Sequence, residues 1–268
     1  MAGKKKDTSL LHHLIGSRSL VWNLAKNDIK KKFAGSYFGV VWAFVQPVIT
    51  VLLYWFVFEK GLNSKATDLR TGIEIPFVLW LTAGLVPWFY FQEALNGGTG
   101  VLVEYSYLVK KVVFQIDMLP VVKMISALFT HLFFVAFTIV LFICMGYMPD
   151  WYALQVIYYS FCMILFATGL VYATSAVTVF FRDMKEVVGI LLQIGMWVTP
   201  IMWNFETMVQ IPGWAIAVLK LNPMYYIVSG YRNALINHIG FWEDMGLTVY
   251  FWVVTAVLLF LGTTVFKK

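Results

Sequence analysis

The chain has 268 residues, of which 60% are hydrophobic, 18% aromatic and only 13% charged, with a formal net charge of +6. A soluble domain carries about 25% charged residues, so composition excludes an ordinary soluble fold. It leaves one polytopic membrane domain, with no long polar segment from which to build a second. The positive balance fits basic membrane flanks facing anionic lipid and not a nucleic-acid surface, because the lysines cluster beside apolar runs.

Residues 1–36 form a basic N-terminal segment. Its opening, MAGKKKDTSLLHHLIGS, lacks an apolar run long enough for a cleaved signal peptide, so the first true span is expected to serve as an uncleaved anchor. Apolar residues then recur at Val21, Trp22, Ala25, Ile29 and Phe33, while Asn23, Lys26, Asn27, Lys30 and Lys31 take the other faces. That spacing predicts an amphipathic helix lying in the membrane interface. Directly behind Lys30, Lys31 and Lys32 comes an uncharged run from Tyr37 to Phe58. At ~1.5 Å per residue it can cross a hydrocarbon core of ~30 Å.

Similar runs place spans near 37–58, 75–96, 119–146, 152–180, 187–203 and 246–266. Those near 119–146 and 152–180 exceed the minimum and are expected to tilt or project. Between the fifth and sixth, Pro212 and Asn222-Pro223 divide an apolar stretch into Gly213–Leu221 and Met224–Ile236, each too short to cross. Backbone polar groups cannot face lipid unpaired, so 211–236 reads as two short re-entrant helices packed against protein. An amphipathic hairpin on the outer surface is the alternative. The expected fold class is therefore all-α: residues 1–36 carry the interfacial helix, and 37–268 form a domain of six transmembrane helices with two re-entrant helices between spans five and six. An even number of spans puts both termini on one side. Only Lys60, Lys65, Arg70, Lys220 and Arg232 fall on the other side, so the basic-residue rule assigns both termini to the cytoplasm.

The usual catalytic signatures are missing. No G-x-x-x-x-G-K-[ST] is present, so the chain is not itself a P-loop ATPase. Gly97-Gly98-Thr99-Gly100 follows a membrane helix, not a strand, and reads as a helix break at the membrane face. Cys144 and Cys162 lie in apolar stretches and read as small buried hydrophobes. The adjacent His12 and His13 lie far from His131 and His238, and no metal-spaced cluster occurs; His131, in an apolar helix, reads as a hydrogen-bonded structural residue. Glu93 is the only acid within a span, near one end, which counts against a proton-coupled secondary transporter. Neither D-x-D nor H-x-x-x-x-D is present, which counts against a glycosyl- or acyltransferase. Two readings of the span aromatics Trp42, Tyr54, Trp55, Trp80, Trp88, Tyr90, Trp197 and Trp203 stay open: interface belts, or a lining whose ring faces pack weakly on sugar rings.

The segment Leu24–Phe58 contains an amphipathic helix, a basic turn, and a G-x-x-W-x-x-x-x-P pattern at Gly39, Trp42 and Pro47. Pro76–Leu95, Tyr107–Val122, Val179–Trp203 and Leu221–Leu235 follow in order. Together these resemble the ABC-2 type permeases that export polysaccharides, over nearly all the chain after its first twenty residues. The resemblance implies a homodimer paired with two copies of a cytoplasmic ABC ATPase in the bacterial plasma (inner) membrane. ATP and Mg would be bound by that partner, with no cofactor in this chain. The implied cargo is a polyprenyl-diphosphate-linked glycan or wall teichoic acid, moved along a channel formed mainly by the first and fifth spans.

Residue by residue, the resemblance maps ATPase coupling onto Glu104–Val113. There Tyr105, Tyr107 and Leu108 offer apolar knobs and Glu104, Lys110 and Lys111 rim charges. Arg182 and Asp183 match an F-R-D turn, where Arg182 either holds the loop through Asp183 or faces the ATPase. Lys26, Lys30, Lys31 and Lys32 sit where a lipid diphosphate would approach, although membrane anchoring accounts for them equally. Trp42, Tyr54, Trp197 and Trp203 are candidate channel lining. Trp214, Tyr225, Tyr226 and Arg232 fall in the outer gate. One departure is Phe114-Gln115-Ile116-Asp117, where the family's proline is lost and an acid is gained.

Overall fold

The computed structural model describes residues 18–32, 34–109, 116–203 and 212–267, with backbone alone at 108 and 109. Lys110 and Lys111 and the start of the 211–236 segment lie outside the described residues. The amphipathic run forms α1 (Arg18–Lys32). Its buried stripe is Val21, Ala25 and Asp28, packed on Met118 and Val122. This corrects the expected stripe at two points: Trp22 is largely exposed and stacks on Phe129, while an acid takes an inward position.

The first uncharged run becomes a continuous helical segment, Gly39–Gly61. A 3-10 turn leads into α2 (Trp42–Trp55), and a π turn closes it. A short hairpin follows, β1 (Ala66–Thr67) and β2 (Glu74–Ile75), which the all-α expectation lacked. Asp68 builds its turn by accepting from the Arg70 amide at 2.8 Å and the Thr71 hydroxyl at 2.6 Å.

Next come α3 (Phe77–Thr99), two single turns α4 (Val101–Glu104) and α5 (Ser106–Val109), and the long helices α6 (Met118–Cys144) and α7 (Gln155–Phe180). The short helices α8 (Met184–Val198), α9 (Gly213–Lys220) and α10 (Pro223–Arg232) precede α11 (Met245–Lys267). Among the described residues, four helical segments are long and apolar enough to cross a membrane: Gly39–Gly61, Met118–Cys144, Trp151–Phe180 and Met245–Lys267. The chain is thus a multi-pass, helical membrane protein. Helix α3 is long enough at 23 residues but carries Gln92, Glu93 and Asn96, and α8 spans only 15 residues.

Helix α3 is the centre of the bundle, with 18 of its 23 residues buried among α6, α7, α8 and α10. Its glycine stretch corrects one expectation. The helix runs through Gly97 and Gly98 and breaks only at Gly100. Gly98 is there for contact, since a Cβ would lie 2.4 Å from Val171 Cγ1. Helices α7 and α11 approach so closely that a Cβ on Gly262 would meet the Gly169 carbonyl oxygen at 2.1 Å. Small residues at such crossings let backbones touch, which is how helices gain packing energy where lipid supplies no hydrophobic drive.

The two helices predicted between spans five and six form, with different surroundings. Asn222 caps α10, its side chain accepting from the Met224 amide at 3.0 Å with Pro223 in the first turn. Eight residues of α10 are buried, against α3 and α7. Helix α9 has none, so the expectation that both pack against protein holds for α10 alone.

Candidate functional site

At the α1 end of the bundle, a cavity of about 690 Å³ opens between α1, α2, α3, α4, α6 and α8. Its neutral polar lining groups are Gln46 and Thr50 from α2, Gln92 and Asn96 from α3, and Ser126 and Thr130 from α6. Gln92 and Asn96 are four residues apart, so they share one face of α3. Its charged lining groups are Asp28, Lys31 and Lys32 from α1, Glu93 from α3, Glu104 from α4, Lys123 from α6 and Lys185 from α8.

Those charges are arranged, not merely gathered. Lys32 sits 2.7 Å from Glu93. The Lys123 ammonium lies 2.6 Å from Asp28 and 2.9 Å from Glu104. Lys31 donates to the Tyr107 hydroxyl at 3.2 Å and stands over the Tyr105 and Tyr107 rings. Lys185 has neither a hydrogen bond nor an ion pair with the described residues. Three carboxylates are therefore answered by two lysines, while Lys31 and Lys185 face the space with no acid of their own. Such a lining attracts an anion with several acceptor oxygens, and the amide and hydroxyl groups of the same cavity suit a polyhydroxylated neighbour. Among the described residues no His, Cys, Asp or Glu cluster fits a metal ion.

Of the four lysines assigned to the inner portal, Lys31 and Lys32 line the cavity, whereas Lys26 packs over Trp22 and Lys30 is exposed outside it. Tyr105 departs from its expected place. It is 2% exposed and donates its hydroxyl to Asp28 at 2.7 Å, so it faces inward and is no docking knob. Burial, and then the Asp28 carboxylate, push its phenol well above the usual range, so it remains a donor. Tyr107 is half exposed and Glu104 sits at the rim. Arg182 and Asp183 are exposed and make no ion pair with each other. Sequence reasoning passed over Asp28, Lys123 and Lys185. The available signals were an acid interrupting the apolar stripe of α1 and a polar face within α3.

The predicted channel aromatics lie on exposed helix faces: Trp42 on α2 and Trp197 on α8, with Tyr54 and Trp203 half-buried. Trp203 donates to the Trp197 carbonyl at 2.9 Å. The predicted gate residues separate. Trp214 is 72% exposed, whereas Tyr226 is buried, stacked 4.7 Å from Phe251 and bonded to Tyr158 and Thr248. Tyr225 lines a second cavity of about 270 Å³ at the hairpin end. Arg232 is buried as well. It donates to the carbonyls of Pro200 and Ile201 at 2.7 and 2.8 Å and lies over the Trp80 ring at 3.3 Å, tying α10 to α3 and to the end of α8. His131 forms a second tie, hydrogen-bonded to Ser160 and Tyr231, as its place in an apolar helix had suggested.

A bundle of apolar helices with a charged, ligand-sized cavity at its basic end defines a membrane transport subunit. Residues 19–236 match the ABC-2 type transporter family, and the chain belongs to it. It is similar to the O-antigen export system permease protein RfbA of Myxococcus xanthus, with 25% identity over 85% of each chain. A protein of the same name from Klebsiella pneumoniae is 21% identical over 91% of this chain and 90% of its own.

Proposed function

We propose that the chain is the permease half of an ATP-driven exporter that moves a polyprenyl-diphosphate-linked polysaccharide of the O-antigen kind out of the cytoplasm. In this reading it crosses the plasma (inner) membrane six times, with both termini inside and α9–α10 toward the outside. It works as a homodimer with two copies of a separate ABC ATPase, which bind ATP and Mg. The observation that carries the reading is the cavity of about 690 Å³ at the basic end. Lys31 and Lys185, which pair with no carboxylate among the described residues, suit a diphosphate, and the cavity's amide and hydroxyl groups suit the first sugars. The relatives' names add the cargo class.

Two further observations support the assembly. Only Val51 of α2 is buried, and only Val188 and Leu192 of α8. These exposed faces are where a second copy would enclose a channel between Trp42 and Trp197 of the two subunits. Tyr107 and Glu104, at the open side of the charged wall, would meet the ATPase.

Loss of the chain from its host should abolish surface polysaccharide while lipid-linked polymer accumulates on the inner leaflet. Surface polymer at normal levels in its absence refutes the reading. A teichoic acid lost in place of a polysaccharide would correct the cargo alone. For the assembly, Ile190→Cys in a chain with Cys144 and Cys162 replaced should crosslink two copies. Phe260→Cys on α11 should not.

A further inference from the structure

The charged wall also fastens three parts of the chain to one another. Lys123 of α6 stands between Asp28 of α1 and Glu104 of α4, and Asp28 at the same time accepts the Tyr105 hydroxyl. One ammonium thus serves two carboxylates that are 95 and 19 residues away in the chain. The Lys123 and Asp28 side chains are only 13% and 8% exposed. Their attraction is therefore weakly screened by salt, and removing either leaves a buried charge unanswered.

The same three charges line the cavity. A phosphate-type anion arriving there meets Asp28 and Glu104, and like charges repel unless an ammonium turns toward the newcomer. Lys123 is already positioned among them. As it turns, its bridge between Asp28 and Glu104 opens, and the Tyr105 hydroxyl on Asp28 is left as the tie between the 104–107 turn and α1.

Resting on the exporter reading, we propose that Lys123 is a positioning residue that reports head-group occupancy of the cavity to the ATPase-facing segment. The report passes through Asp28, Glu104 and Tyr105. Lys31 and Lys185 hold the anion; Lys123 converts its presence into a movement of the 104–107 turn against α1.

The test uses the full complex of permease and ATPase in phosphatidylcholine nanodiscs, with undecaprenyl diphosphate as the probe. The readout is ATP hydrolysis with the probe divided by hydrolysis without it. Lys123→Gln and Asp28→Asn should each lower that ratio roughly fivefold, the low end of a typical coupling between two sites. Lys123→Arg, which keeps a positive charge between Asp28 and Glu104, should retain most of it, which a packing defect would not. Tyr105→Phe, which deletes one hydroxyl and keeps the ring, should lower the ratio about twofold and carries the test if the charge variants fail to assemble. Unchanged ratios in Lys123→Gln and Asp28→Asn, or a Lys123→Arg variant as defective as Lys123→Gln, overturn the proposal. A native complex that neither binds the probe nor responds to it overturns the exporter reading as well, a pattern distinct from a responsive native complex with responsive variants.

Discussion

Helices α2 and α3 are joined by one hairpin, yet they occupy opposite environments. In α2 every residue but Val51 keeps some exposure, and Leu52 and Leu53, with Phe56 and Val57 of the π turn after them, are about half exposed. In α3, from Phe77 to Trp88, each residue is buried. The more apolar helix is the exposed one, and the helix carrying Gln92, Glu93 and Asn96 is the core. In water this order would be unstable; in lipid it is expected, because tails solvate leucine as well as protein does. Polar groups, small residues and close backbones then hold helices together. The contrast separates a sequence's apolar runs into two kinds: those that lipid or a second subunit covers, and those that the chain must cover itself.

Substitutions at the close helix crossings should show that contrast most strongly. Gly262→Leu drives a side chain into the Gly169 carbonyl, where no flexible atom can yield, and should cost about 3 kcal/mol or prevent accumulation in the membrane. Thermal unfolding in detergent checks it, with Leu53→Ala on open α2 expected within about 0.5 kcal/mol of the parent. A large loss at Leu53 would mean that α2 is covered within a single chain.

Arg232→Met comes next. It leaves the Pro200 and Ile201 carbonyls without their donor and should destabilise by about 2–3 kcal/mol. Loss of protection at the end of α8 in hydrogen exchange would locate the effect.

In the cavity, Lys185→Gln should lower transport roughly tenfold, the value of one charge-assisted contact of about 1.5 kcal/mol. Lys30→Gln, outside the cavity, should not change it. Equal effects at the two positions would reduce both lysines to membrane anchors. The smallest effect is expected at Trp214→Ala on α9, where no residue is buried; stability should stay within about 0.5 kcal/mol.

Much of this was legible before any coordinates. Hydropathy sums along consecutive residues, so the helix from Tyr37 to Phe58, the breaks at Pro212 and Asn222-Pro223, and the family motifs could be read from order alone. Helix α8 was placed near 187–203 but occupies Met184–Val198, because Thr199 and Pro200 stop it early. Harder to read was where polar side chains point. Tyr105 looked like an outward knob beside Tyr107, but its hydroxyl meets an acid 77 residues earlier. Tyr225 and Tyr226 looked like gate residues, and only packing shows them buried.

From residue order alone follow the membrane class, the positions of the apolar helices, the crowding of lysines at one end and kinship with ABC-2 permeases, since each is a local or one-dimensional property. Tertiary structure decided that α3 is the core and α2 the exposed wall, that Arg232 is a clamp, and that Asp28, Glu104 and Lys123 share a cavity. Those outcomes depend on which helices cross and at what distance, and charges far apart in the chain interact only once packing has brought them together.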